Sequence, residues 1–348
     1  SETKGATLCY QYWNKLEVDG IIGPNTWASL YEKNDQAPPE RPVSPPVSSA
    51  IVDPLPATLS QAIRTLAGSS AIARYSWKNR GTAPLGYTKG IAISFATVYR
   101  RLLRNEATAL AMAAPIGGTK DSLAWYGMNY VLRADILRHL FVLLMGLGMR
   151  ESSGKYCEGR DTSAGNVTAD TAEAGAHQTS WNAHVAASGM TRIFEAYKAD
   201  PRGYSEVYRE GVACTDAQWE SYGSGTGREY QSLSRTCPQM HAEFTALGLR
   251  AIGGEDGHWG PIRRREAEIR PEADELLQQV QALVDAEEDD MNSHPSPAPY
   301  NPDIADANER IRLLEKKLEE QLAAKPASNP IASITESLKG KKTYIVAG

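Results

Sequence analysis

The longest apolar run without charge is LFVLLMGLGM, residues 140–149. It is far short of the roughly 20 residues that cross a bilayer, so it predicts a buried core helix. Read from its start, DILRHLFVLLMGLGM opens on Asp135, a suitable N-cap, and continues almost entirely apolar. A second helix is predicted in RPEADELLQQVQALV. Pro271 falls in its first turn, and Leu276, Leu277, Val280, Leu283 and Val284 share one face. Strand-like alternation is scarce, so the pattern predicts a mainly α protein. Near the end, DIADANERIRLLEKKLEEQL sets Ile304, Ile311, Leu314 and Leu318 in a heptad-like stripe. A coiled coil joining two copies and a single amphipathic helix both fit it.

Proline divides this pattern into segments. Residues 36–58, QAPPERPVSPPVSSAIVDPLPAT, carry seven prolines and read as a semi-rigid extended linker. A second break, EEDDMNSHPSPAPYNP, covers residues 287–302. The predicted organisation is a small N-terminal module (1–35), the linker (36–58) and one large domain (59–286). An acidic, Pro-rich linker (287–302), a helix (303–324) and a tail (325–348) follow.

Composition narrows the function classes. Of 348 residues, 41% are hydrophobic and 23% charged, an ordinary globular balance. The net charge of −5 and the lack of a Lys/Arg run argue against nucleic acid as a partner. SETKGATLCY has neither an initiator Met nor an apolar leader core, and reads as the start of a fragment. LKGKKTYIVAG sets lysines before an apolar start, as ahead of a membrane anchor beyond Gly348 or in an ordinary polar tail. Cys9, Cys157, Cys214 and Cys237 have no metal-finger spacing. The last three leave open both a bridge and buried free thiols, and a bridge from Cys157 would brace the turn after Glu151.

The candidate chemistry begins where the apolar run stops, at GLGMRESSGKYCEGRD. Glu151 ends a buried helix, where a negative charge opposes the helix dipole. The polar stretch that follows carries Asp161, Asp170 and Glu173. Acids at the lip of an apolar core suit glycosidic chemistry, because one carboxyl must stay protonated to donate to the leaving oxygen. His177 and His184 have no clear third ligand, so no metal site and no cofactor are expected. GHWGPIRRREAE, residues 257–268, reads as a solvated loop or as a basic contact for acidic peptides.

Two resemblances follow from these residues. RESS, with Glu151 and Ser152, and AGAHQTSWN, with Gly175 and Gln178, resemble the goose-type lysozyme and lytic transglycosylase superfamily over roughly residues 135–285. His177 and Ala176 depart from the family's usual Met and Leu. The resemblance implies a lysozyme-like helical domain that cleaves the β-1,4 bond between N-acetylmuramic acid and N-acetylglucosamine. Glu151 would be the general acid and Asp170 the second acid, with Asp161 as the alternative. Ser152, Gln178 and Tyr222, the last in SYGSGTGREYQ, would be the substrate-binding residues. Either water or the substrate's own C6 hydroxyl can complete the reaction. SWKNRGTAPLGYTKG, residues 76–90, also looks like part of a bacterial lysozyme-like family, with no role attached.

At the N-terminus, VDGIIGPNTW resembles the core of the peptidoglycan-binding-like helical module, covering about its second half. That implies Trp13, Trp27 and Tyr31 as wall contacts, bacterial peptidoglycan as partner, and the cell envelope (periplasm, wall, or a phage lysin acting there) as the place of action. A catalytically inactive wall-binding or scaffolding protein and an amidase or endopeptidase of the peptide stems are the competing classes.

Overall fold

The structure is a computed structural model that describes Thr7, Gln11, Leu16, Ser29, Ile51 and residues 54–128, 132–162, 168–201 and 206–293. Trp13, Trp27, Tyr31, the 303–324 helix and the 325–348 tail lie outside the described residues.

The described chain is mainly helical. Its helices are α1 (Ala57–Ser69), α2 (Leu85–Leu103), α3 (Ala107–Met112), α4 (Ser122–Trp125), α5 (Arg133–Ser152) and α6 (Ser188–Ala199). They continue with α7 (Asp216–Trp219), α8 (Thr226–Thr236), α9 (Pro238–Ile252), α10 (Gly260–Arg263) and α11 (Pro271–Ser293). Two antiparallel hairpins interrupt them: β1 (Ser76–Trp77) with β2 (Gly81–Thr82), and β3 (Glu173–Ala174) with β4 (Thr179–Ser180).

Helix α5 is the axis of the core. Every residue from Ile136 to Met149 is buried, as its all-round apolar sequence requires. Helices α2, α9, α10 and α11 pack around it. Gly148 permits one of these approaches, because a Cβ there would collide with the Tyr87 hydroxyl of α2. That hydroxyl donates to the Met145 carbonyl at 3.0 Å. On α11, Leu276, Leu277, Val280, Leu283 and Val284 are all buried, on the face the spacing predicts.

Four expectations need correction. Asp135 is not the N-cap of α5: the helix starts two residues earlier at Arg133, and Asp135 pairs with Arg138 at 2.7 Å. The linker read into residues 36–58 ends sooner, because α1 starts at Ala57 and Ile51 is buried, its carbonyl accepting from Arg101. Helix α11 runs on to Ser293, so the acidic stretch from Glu287 is helical; Glu288 takes Arg100 and Arg104 as partners. The reading of residues 257–268 as a solvated loop also fails at Trp259, which is buried and donates to the His177 carbonyl.

Candidate active site

Glu151 sits in the last turn of α5, half-buried. The helix stops just beyond it because Ser153 and Gly154 turn left-handed, at φ 57° and 74°. Their amides return to the carbonyls of Met149 and Gly148, both at 3.1 Å. A disulfide from Cys157 to Cys214 then fastens the departing chain to the segment before α7, while Cys237 is a buried free thiol.

The two hairpins meet at this helix end. In the β3–β4 turn, Gly175 (φ 74°) and Gln178 (φ 45°) take left-handed conformations. The Gln178 amide and side chain both donate to the Gly175 carbonyl, at 3.2 and 3.0 Å. The Ser152 hydroxyl donates to the Ala176 carbonyl at 2.8 Å, and the Gly175 amide to the Glu158 carbonyl at 2.8 Å. These bonds clamp the hairpin on the end of α5 and bring Glu173 to bear on Glu151. Behind it, His177 and His241 stack at 5.2 Å, and burial pushes the His241 imidazole down to about 3.

The β1–β2 hairpin approaches from the other direction. Its base is held by Glu268, which accepts from the Tyr75 hydroxyl at 2.9 Å and the Lys78 amide at 2.7 Å. Its tip carries Arg80, whose guanidinium donates to the Arg150 carbonyl.

Charge at this junction is divided. Burial pushes the Glu151 carboxyl up, the charge of Glu173 pushes further, and Arg80, Arg264 and Arg150 pull back; the result is about 7. No described side chain hydrogen-bonds the carboxyl. Glu173 is itself raised, first by burial and then by Asp161, so three carboxylates act in series from Glu151 through Glu173 to Asp161. Arg150 and Arg264 also hold Glu266, at 3.1 and 2.8 Å; the Arg264 hydrogen bond is the main cause of its fall to about 2. An acid poised near neutrality beside a second carboxylate can give a proton to a leaving group while its neighbour stays available as a base.

The residues expected at the site divide into two groups. Asp161 belongs to the carboxylate series through Glu173. Tyr222 has Arg160 stacked 4.4 Å from its ring centre, and its backbone is clasped by Gln231. Ser152 and Gln178 are buried; the Ser152 hydroxyl and the Gln178 side-chain nitrogen both donate to backbone carbonyls and so brace the site. Asp170 is exposed and lies against Gly227 in the first turn of α8, while the carboxylate acting on Glu151 is that of Glu173.

Sequence reasoning gave no role to Glu173, Arg80 or Trp219. The last is 39% exposed, packs edge-on to Tyr156 at 6.1 Å, and belongs to the segment tied down by Cys214. No local signal assigns a role to any of the three, since each depends on a hairpin or a bridge closing. His184 stacks on Trp181 at 4.2 Å, away from the His177–His241 pair, and the described residues contain no cluster of metal-ligating side chains. None of the described helices is long and apolar enough to cross a membrane.

No family model, no curated protein and no solved structure matches the chain.

Proposed function

We propose that this protein is a peptidoglycan hydrolase with a lysozyme-like helical domain, cleaving the β-1,4 bond between N-acetylmuramic acid and N-acetylglucosamine. The observation that carries the reading is the Glu151 carboxyl, held near pH 7 at the end of a buried helix with Glu173 beside it. Glu151 donates its proton to the glycosidic oxygen as the bond to the anomeric carbon breaks. Positive charge then builds on the sugar ring, and the carboxylates around the site stabilise it. Either water, deprotonated by Glu173, or the sugar's own C6 hydroxyl, deprotonated by the Glu151 carboxylate left after proton donation, takes the anomeric carbon. The first gives a reducing end and the second a 1,6-anhydro sugar. Side chains alone supply this chemistry, and no cofactor enters the scheme.

Peptidoglycan as partner, action in the cell envelope and wall contact through Trp13, Trp27 and Tyr31 belong to the same proposal. The deciding experiment is mass spectrometry of purified peptidoglycan digested by wild type and by Glu151→Gln. The wild type is expected to release muropeptides, and the variant to do so about 10²–10⁴-fold more slowly. The chemical form of the released ends separates transglycosylase from hydrolase. Equal cleavage by both proteins removes Glu151 from the mechanism; binding without cleavage by the wild type makes the chain a wall-binding protein.

A further inference from the structure

Three guanidinium groups act on the Glu151 carboxyl, and they are not equivalent. Arg150 and Arg264 close on Glu266. Arg80 closes on no carboxylate among the described residues. One of its terminal nitrogens donates to the Arg150 carbonyl, its Nε is buried with no partner, and the other terminal nitrogen bonds no described residue. Yet Arg80 stands ahead of the other two in its pull on Glu151.

A half-buried guanidinium without an anion is costly, and its planar fork matches a carboxylate held by two parallel hydrogen bonds. A purely structural role, capping the carbonyl end of α5, uses one terminal nitrogen and leaves the other without a bond to any described residue. The hairpin also holds Arg80 in advance of any ligand. Glu268 fixes the strand before it, and the Arg270 guanidinium covers Tyr75 at 3.9 Å.

We infer that Arg80 forms a carboxylate-binding subsite beside Glu151, and that the preferred substrate is a glycan bearing a carboxylate near the scissile bond. The inference deepens the glycosidase reading and rests on it for the location of that bond. On a muramyl glycan the carboxylate has two sources: the free lactyl group of a sugar stripped of its peptide, or the peptide stem itself. An anion seated here neutralises the cation that most opposes protonation of Glu151, so the substrate helps keep the acid loaded.

The test uses three tetrasaccharides: a peptide-free muramyl oligomer, the same oligomer with its stem peptide amide-linked, and chitotetraose, which has no carboxylate. Binding is measured by calorimetry to Glu151→Gln, alone and combined with Arg80→Ala, and cleavage by wild type, Arg80→Ala and Arg80→Lys. A carboxylate-bearing oligomer should bind at least about tenfold tighter than chitotetraose, as one charge-assisted contact allows. Arg80→Ala should bring that ratio to about 1, and Arg80→Lys, a point charge without the fork, should keep only part of it. Preference for the peptide-free oligomer assigns the lactyl group, and preference for the stem-bearing one assigns the peptide.

A ratio that Arg80→Ala does not move, in a protein that melts like the wild type, overturns the subsite. So does the absence of binding by all three oligomers. Binding as expected without cleavage by the wild type keeps the subsite and removes the glycosidase reading. Should the alanine variant fail to fold, Arg80→Lys and Arg80→Gln carry the same comparison.

Discussion

Glu151 and Glu243 are glutamates on two helices of one apolar core, and their surroundings are opposite. Glu243, within α9, has no exposed surface; Arg101 and the Tyr197 hydroxyl donate to it, the latter at 2.7 Å, and Gln239 reaches it at 3.4 Å. Burial pushes its carboxyl up, and each of these partners pulls it back. Glu151 also feels burial, but its cations act from a distance and no described donor hydrogen-bonds it. A polar group sealed in a core must be satisfied internally, or the fold bears its full desolvation cost. One at a lip can stay unsatisfied, because water or a ligand can serve it. Glu243 therefore belongs to stability, whereas Glu151 keeps an unsatisfied carboxyl at some expense of stability, as the proposed acid role requires.

The sharpest way to break this contrast is Arg101→Met. The change leaves Glu243 without its counter-charge and the Ile51 carbonyl without its donor. Removing one member of a buried pair costs about 3–5 kcal/mol, so urea unfolding should show a loss of that size. A loss below about 1 kcal/mol would mean that Tyr197 and Gln239 suffice, and that the two glutamates differ less than their surroundings suggest.

Glu151→Gln should do the reverse. The wild-type carboxyl is raised from 4.5 to about 7 by folding. Between those values the unfolded chain has released its proton while the folded chain keeps it, so stability falls as pH rises through this window and stays lowered above it. Glutamine cannot ionise and escapes the penalty. The variant should match wild type near pH 4 and exceed it by about 1–3 kcal/mol at pH 8. Thermal melts at the two pH values check this, and a gain independent of pH would assign the effect to packing.

The same contrast explains what could be read from the chain alone. Buried faces repeat along the sequence, so α5 and the apolar face of α11 were legible from spacing. Helix starts and domain edges were less so. Asp135 pairs with Arg138 one turn further along the same helix instead of capping it, and tertiary partners at the end of α2 hold the acidic run after Glu287 helical. At the site, Glu151 was visible because an acid directly after a long apolar run is a local anomaly. Its companions were not. Asp170 was favoured by its spacing from Gln178, whereas Glu173 meets Glu151 only because Ser152 and Glu158 clamp a hairpin onto the helix end. Arg80, about seventy residues upstream, had no sequence mark distinguishing it from any other arginine in a turn. The Cys157–Cys214 bridge, one of the alternatives left open, is settled by a fold that brings those two cysteines together and buries Cys237 elsewhere.

The smallest effect gives the finest test of how Glu151 is tuned. Burial is the larger cause of its raised carboxyl and Glu173 the next. Glu173→Gln removes the like charge and leaves the apolar setting in place. The Glu151 carboxyl should then give up its proton at lower pH, and any activity that needs the protonated acid should lose its alkaline limb earlier. A shift of less than about one pH unit is expected, since burial persists. The profile of kcat/KM against pH measures it for the free enzyme. If Glu173 is also the base that activates water, the maximum of that profile drops as its limb moves. A moved limb with an unchanged maximum would leave Glu173 as a tuning charge and favour the C6 hydroxyl as the attacking group. An unmoved limb would mean that burial alone holds Glu151 near neutrality, and the contrast with Glu243 would then reduce to hydrogen bonding.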